Sequence, residues 1–439
     1  MMKVEVEMIA LSSVLYLILF SSACAFAPRA IHRQIIPSLT RLQSSAITLT
    51  HNYTHHDELL WGMTRFFGDD MVDSNTNRFY YVCHPQGGEC EHVHFPIRDL
   101  AAAWDASKAL EFTKYLHAED IDKEANIIRV QQRLTDAIKC TISVYHSVLN
   151  PIKMGMEIHL NEGILLEPPT IGHSALLLLG MCNSCRLSIL VQDEMMQEIV
   201  DGLAQGILSM QIENGAFRIE FGKAEILRGI EFFPGEAMLS LMSVHELSTT
   251  SMPGLLEEST RRAILPAMER AFGFYSNHYY TEDVSTNFNI WQVLAFAKYY
   301  DALDNDQTTK KVEVRNYVLD MCQEICKSRS WKYELARGQS FYVNLETVEI
   351  ACGLDALAEG IRIAQEQEDL ASIAKLFKMH ATNALYFLKW TQEQVPEEQV
   401  PGKGGLGHGG TQVFEQRLDV TGHAISALVK LRKLSVLLP

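Results

Sequence analysis

The feature that most constrains this chain is an alternation between two kinds of helix. Apolar residues recur at helical period from residue 57 to residue 434, which predicts twelve helices. They are expected at 57–67, 97–116, 123–149, 170–191, 194–210, 235–247, 255–279, 285–302, 311–328, 344–364, 369–390 and 419–434. They fall into pairs. In each pair the first helix is short and poor in charge, and the second is charged and amphipathic. ALLLLGMC is followed by DEMMQEIVDGL, and EAMLSLMSV by LEESTRRAILPAMERAF. A helix apolar all round is buried, and one with a polar face lies on a surface. Alternating inner and outer helices through about six hairpins predict an all-α fold, an (α/α)6 toroid with short irregular or β pieces in its loops. The last helix would pair with the first and close the ring.

Composition sets the scale. The chain has 439 residues, 47% of them hydrophobic, which supplies a large core. No Pro/Ser-rich linker interrupts residues 51–439, so these are read as one domain. The stretches 71–95 and 395–410 are its long loops, and a short strand is expected at Arg78–Val82. A net charge of −16 argues against nucleic acid or an anionic membrane as partner. The nine Cys show no disulfide-framework spacing and are expected to act mostly as small core residues.

The N-terminus is read as a targeting segment. An apolar run from Ile9 to Phe20 precedes Ala23-Cys24-Ala25, a small-x-small cleavage site that makes residues 1–25 a signal peptide. The run is too short for a good membrane span. Residues 26–50 carry Arg29, Arg33 and Arg41 with Ser and Thr and no acid, a transit-peptide composition. The Phe26-Ala27-Pro28-Arg29 start resembles the bipartite presequence of complex, red-lineage plastids. That resemblance implies import into a plastid, with secretion as the alternative. Asn52-Tyr53-Thr54 is a glycosylation sequon.

Three of the inner helices open alike: Gly172-His173-Ser174, Gly235-Glu236-Ala237 and Gly422-His423-Ala424. If the inner helices run in one direction, their N-termini gather at one mouth of the ring. That mouth would present Asp99, His173, Glu236, Trp291, Glu346 and His423, with Phe217, Phe232, Phe233, Tyr342 and His408 from the preceding loops. Aromatic walls around convergent titratable groups are the usual form of a ligand pocket. Helix N-termini favour a carboxylate and disfavour an imidazolium. Glu236 and Glu346 are therefore expected ionised, and His173 and His423 neutral, which suits bases and nucleophiles.

The block Gly215, Phe217, Phe232, Pro234 to Ala237 and Leu241, with the closing block Gly409-Gly410, Asp419, Thr421, His423 and Ala427-Leu428, resembles six-hairpin glycosidase-like (α/α)6 toroid proteins. That superfamily holds glycoside hydrolases, lyases and sugar epimerases. The resemblance spans residues 97 to 434 and implies the fold more than the reaction. It implies a carbohydrate-active enzyme, with Glu236 and His423 as base or nucleophile, His173 as partner and Asp419 orienting His423. Substrate contacts would come from Phe217, Phe233, Trp291, Tyr342, Glu346, His408 and Asp99. The alternatives are a non-catalytic binding or assembly protein and a pigment- or isoprenoid-processing protein of the plastid; against the latter, no DxDD or DDxxD cluster is present. Each residue also has a structural reading. Glu236 could complement a helix dipole, the histidines could be core residues, Asp419 or Thr421 a cap, and the aromatics core packing.

No cofactor or metal is assigned from sequence. Cys182-Asn183-Ser184-Cys185 lacks a second ligand pair, and Cys322 with Cys326 is too little for zinc. Cys83, His84, Cys90, His92 and His94 form the densest set of ligand residue types, read mainly as an exposed or pocket-rim loop. The Gly-rich run 402–410 lacks the P-loop order and is read as a lid, with Lys403 or His408 reaching the ligand.

Overall fold

The computed structural model describes residues 54–85, 88–92, 96–114, 116, 121–150, 157–158, 170–190, 192–224, 226–304, 307–395, 403–409 and 412–436. Two compact units are distinguished, Met1–Leu49 and Thr50–Pro439. The first lies wholly outside the described residues, as do the sequon Asn52 and the side chain of His408.

Twelve long helices span the described part of the second unit. They are α1 (Thr54–Asp69), α2 (Pro96–Thr113), α3 (Ile121–Val148), α4 (Ile171–Arg186), α5 (Glu194–Ser209), α6 (Phe233–Thr250), α7 (Glu258–Thr281), α8 (Thr286–Ala302), α9 (Thr308–Lys327), α10 (Thr347–Gln365), α11 (Ala371–Glu393) and α12 (Leu418–Lys433). The even-numbered helices form the inner wall. Each packs on the next in the order α2, α4, α6, α8, α10, α12, and α12 returns to α2. Each odd-numbered helix lies outside: α3 on α2, α5 on α4, α7 on α6, α9 on α8, α11 on α10 and α1 on α12. This is the (α/α)6 toroid, closed by pairing the last helix with the first.

The sequence explains which helix goes where. Residues Ile171 to Cys185 of α4 are all buried, so this helix has no face for water. In α9 only Val314, Tyr317, Val318, Leu319, Met321, Cys322, Ile325 and Cys326 are buried, which is one stripe at helical spacing. Starts are set by caps. Asp193 accepts from the Met196 amide at 2.8 Å and Ser285 from the Phe288 amide at 3.2 Å, while Pro234 stands in the first turn of α6.

Two long loops combine into a small antiparallel sheet of order β2-β1-β6-β5. Its strands are β1 (Val82–His84), β2 (Glu89–Glu91), β5 (Gly407–Gly409) and β6 (Gln412–Arg417); β3 (Leu149–Asn150) and β4 (Glu157–Ile158) pair elsewhere. The strand expected at Arg78–Val82 therefore begins at its last residue, and Phe79 makes only an isolated bridge to Val72. Cys83 lies directly opposite Cys90 and the two form a disulfide. The sequence reading, which found no disulfide-framework spacing and placed both in a pocket-rim loop, did not foresee this pair, and the bond removes both thiols as metal ligands. The other described cysteines are free. The sheet also seats α12, because the Leu418 amide donates to the Tyr81 carbonyl at 3.0 Å.

At the C-terminal end of the inner wall, charges interlock from helix to helix. Glu246 of α6 meets Arg186 of α4 at 3.4 Å and Lys298 of α8 at 2.6 Å. Asp301 of α8 meets Arg362 of α10 at 2.9 Å, Glu359 of α10 meets Lys430 of α12 at 2.9 Å, and Lys433 of α12 meets Glu111 of α2 at 2.5 Å. This end of the ring is thus tied together by ion pairs, and the chemistry of interest gathers at the other.

Candidate active site at the N-terminal mouth of the ring

The recurrent glycine that opens three inner helices has a packing reason. A Cβ on Gly172 would stand 2.7 Å from Oε2 of Glu236 and 2.5 Å from the Phe233 ring. One on Gly235 would stand 2.5 Å from Cβ of Trp291, and one on Gly422 would lie within 2.4 Å of Cγ of Asp105. Each missing side chain makes room for a functional group from a neighbouring inner helix. Glu236, Trp291 and Asp105 are positioned by that geometry.

Glu236 is 6% exposed and its Oε2 has no hydrogen-bond partner among the described residues. Burial pushes its carboxyl up to about 8, against a weaker pull downward from Arg98. Glu236 is therefore protonated at neutral pH, which reverses the expectation of an ionised base. The helix dipole favours the carboxylate by a fraction of a kcal/mol to about 2 kcal/mol, and the cost of burying an unpaired charge exceeds it. A protonated carboxyl of this kind is a proton donor.

His423 is partly exposed. Burial lowers its imidazole below the usual value although Asp355 and Asp419 raise it, so it is neutral, as expected. Its ring lies edge-on to Trp291 at 5.8 Å and to Trp104 at 6.5 Å, and the two indoles are 6.1 Å apart. Trp104 was not foreseen in this role. Its place beside His423 and Trp291 comes from its register on α2, which the apolar run LAAAW does not single out.

Asp419 does not serve His423 through a hydrogen bond. Its oxygens receive Arg98 at 2.9 Å, Arg417 Nε at 3.1 Å and Nη2 at 2.5 Å, the Tyr81 hydroxyl at 3.3 Å and the Val420 amide at 3.0 Å. Burial would raise its carboxyl, but Arg98 and Arg417 outweigh burial and hold it far below the usual range. Both guanidiniums also lie over the Tyr81 ring, at 5.5 and 5.4 Å. Asp419 is a permanent carboxylate with its lone pairs occupied. It is not the cap of α12, where Arg417 precedes the first turn, and Thr421 instead accepts the Leu406 amide at 3.3 Å.

Behind this layer stand two carboxyls that sequence reasoning missed as site residues. Asp105 is 1% exposed with neither oxygen bonded, and burial, Asp419 and Asp355 push it well above the carboxylate range. Asp355, also 1% exposed, takes Lys430 at 2.9 Å and Ser426 at 3.2 Å on one oxygen and leaves the other unbonded. The glycine at position 422, one helix away, was the available signal for the position of Asp105.

The remaining expected residues divide. Phe233 is partly exposed at the start of α6, beside Gly172 and Gly229. His173 is 1% exposed, and its Nδ1 meets the Thr170 hydroxyl at 2.8 Å and the Thr170 amide at 3.3 Å, so it closes a capping box at the start of α4. Phe217 is fully buried and its amide donates to the Tyr275 hydroxyl, which makes it core rather than substrate contact. Tyr342 is 5% exposed and packs edge-on against Phe387 and Trp390 of the outer helix α11. Asp99 is engaged by Tyr145 of the outer helix α3 at 2.7 Å and by Arg78 at 3.2 Å, so it joins structural elements. Glu346 is exposed before the first turn of α10. His92 bonds the Phe79 carbonyl and Asp73 at 3.1 and 3.3 Å, and among the described residues no group of three or more His, Cys, Asp or Glu is placed to hold a metal.

No family model matches the sequence, and no curated protein does. Solved structures do match. A GH76 α-mannanase from Bacteroides thetaiotaomicron aligns over 87% of this chain and 97% of its own, with TM-score 0.52 and 11% identity. An unsaturated glucuronyl hydrolase from Bacillus sp. GL1, described as responsible for the degradation of glycosaminoglycan, aligns over 87% and 97%, with TM-score 0.50 and 11% identity. An inactive variant of an α-1,6-mannanase from Salegentibacter sp. HEL1_6, in complex with α-1,6-mannotriose, aligns over 86% and 99%, with TM-score 0.50 and 10% identity. At these identities the likeness establishes the fold: this chain has the (α/α)6 toroid architecture of glycosidases.

Proposed function

We propose that the protein is a carbohydrate-active enzyme whose reaction takes place at the N-terminal mouth of the ring. The observations that carry this reading are a protonated Glu236 whose Oε2 bonds no described residue, and a neutral His423 edge-on to Trp291, whose Cβ packs against Gly235, the residue before Glu236. Indole faces suit the apolar faces of sugar rings, and an acid held protonated beside a neutral base suits proton transfer at neutral pH. The solved structures of like fold act on glycans, which supports the same substrate class here.

Glu236 protonates the leaving oxygen, and His423 takes a proton on the other side. Asp419 is unsuited as nucleophile because two arginines, a tyrosine and an amide occupy its oxygens. Arg98, with its side chain 43% exposed, is bonded to Asp419 and is the cation that acts on Glu236. A base that is an imidazole, and the engaged oxygens of Asp419, favour hydrolysis by direct attack of water over a covalent glycosyl intermediate. The same base favours elimination or epimerisation as the second reading, by abstraction of a proton from carbon. We further propose delivery through the secretory route to a complex plastid, with secretion as the alternative; the Cys83–Cys90 disulfide supports passage through an oxidising compartment.

The test is a thermal-shift and product screen of residues 51–439 against α-mannans, unsaturated glucuronides, other oligosaccharides, pigments and isoprenoids. A glycan response that Glu236→Gln and His423→Ala alter supports the proposal. A response from pigments or isoprenoids with silence from every glycan refutes it.

A further inference from the structure

The far end of the ring holds a nucleophile that the mouth does not use. Lys108 lies on α2 one turn beyond Asp105, and that spacing puts the two on one face of the helix. The charges that act on Lys108 come from Lys430 of α12, Lys298 of α8, Asp355 of α10 and Glu246 of α6, and from Asp105 and Glu111 of its own helix. A side chain that feels four other inner helices at once points towards the axis of the ring. Lys108 is partly exposed, so water reaches it there.

The other cations of this end are engaged. Arg186 and Lys298 meet Glu246, Arg362 meets Asp301 and Glu359, Lys430 meets Asp355 and Glu359, and Lys433 meets Glu111. Lys108 forms no hydrogen bond or ion pair with any described residue. The carboxylates around it are taken: Glu111 by Lys433, Glu246 by Lys298, and Asp355 by Lys430 and Ser426 through one oxygen. Asp105 is held protonated and supplies no charge. An ammonium buried without a partner is costly, which favours the neutral amine. Burial, with the charges of Lys430 and Lys298, pushes this ammonium down to about 8 against Glu111 and Asp355. A lysine desolvated beside other cations is the usual form of an amine that attacks carbonyl carbon.

We propose that Lys108 is the amine of a covalent site inside the ring, separate from the mouth, that takes a short hydroxyaldehyde as a Schiff base. The amine nitrogen attacks the carbonyl carbon and a C–N bond forms. The carbonyl oxygen then leaves as water with the two hydrogens of the amine, and C=N remains. The condensation needs no oxidant or reductant. Asp355, 1% exposed, keeps one oxygen unbonded, and that oxygen accepts the hydroxyl next to the aldehyde. Walls made of ion pairs also suit a polar ligand better than a hydrocarbon one. The open-chain form of a small sugar has this chemistry. The site does not depend on the reaction at the mouth.

The test is reductive trapping on the full chain with glycolaldehyde and sodium cyanoborohydride, read by peptide mass mapping. The reductant turns each imine into a stable secondary amine and so marks the lysine. At pH 8 we expect Lys108 to be labelled roughly tenfold or more faster than the exposed lysines, because an unperturbed ammonium near 10.4 is almost wholly charged there. Its rate should level off above about pH 8 and should saturate with glycolaldehyde. Propanal, which lacks the hydroxyl, should need a roughly fivefold higher concentration to half-saturate it. Lys298→Met removes one of the cations that depress Lys108 and should move the midpoint of its labelling to higher pH. Labelling of Lys108 no faster than that of the exposed lysines at pH 8 overturns the proposal. So does a rate that rises linearly with glycolaldehyde, equal half-saturation by the two aldehydes, or a midpoint that Lys298→Met leaves in place.

Discussion

Glu236 shows how one residue's environment can invert its role. Its sequence position, after Pro234-Gly235 in the first turn of a helix, argues for a carboxylate. Its surroundings, 6% exposed with an unbonded oxygen, make it an acid. The linkage follows from the sign of the shift. A carboxyl raised to about 8 binds a proton in the folded state that the unfolded chain, with a carboxyl near 4.3, releases. The fold therefore loses stability as pH rises from about 4 through 8. Glu236→Gln removes the titration. We expect this variant to lose turnover on any substrate of the mouth while melting at the same temperature as the parent at pH 4 and higher, by about 1–3 kcal/mol of stability, at pH 9. Melting curves of both proteins at the two pH values check this, and a variant that is destabilised at both would mark Glu236 as a structural residue. His423 was legible as neutral because burial and helix position act in the same direction. Glu236 was not, because they act in opposite directions and sequence does not show burial.

Among elements, the inner helices are set by close approach at their glycines. Gly235→Ala drives a methyl to 2.5 Å from Cβ and 3.0 Å from the backbone carbon of Trp291. We expect it to cost about 2 kcal/mol and to disturb the mouth, since backbone cannot move aside as a side chain can. Gly206, inside α5 with nothing within 4 Å, is the control: Gly206→Ala should raise stability by about 0.5–1 kcal/mol. Denaturant melts of the two variants decide it. The three glycines could be noticed in the sequence as a recurrent helix start, but not which neighbour each one admits. Nor could the β sheet be read, since its strands come from loops more than 300 residues apart, as Tyr81 and Leu418 show, and no local pattern pairs them. Reduction of Cys83–Cys90, which joins β1 to β2 beside β6, should lower stability by about 2 kcal/mol and is read by melting with and without reductant.

Over the whole molecule, the twelve-helix alternation was readable because burial on all faces and burial on one face leave different apolar patterns. The ion-pair chain at the far end was not, because each pair spans two helices distant in sequence. Its centre is Lys430 between Asp355 and Glu359. Burial raises Glu359, but Lys430 and Arg362 outweigh it and hold its carboxyl far below the usual range. Such a group contributes stability above the unfolded carboxyl value near 4.3, and that contribution is lost as pH falls below it. Lys430→Met leaves the buried Asp355 without its cation and Glu359 with Arg362 alone. We expect a loss of about 3–5 kcal/mol at pH 7 that shrinks towards pH 3, measured by denaturant melts across that range.

The central claim is that the mouth of the ring performs acid–base chemistry on a glycan with Glu236 as the acid. The pH–rate profile of the parent protein and of Glu236→Gln, on a glycan turned over in the screen, tests it most directly. The account predicts activity that falls as pH rises through about 8, where Glu236 loses its proton, and no such activity in Glu236→Gln. Turnover by Glu236→Gln at the parent's rate, with the same alkaline limb, would contradict it.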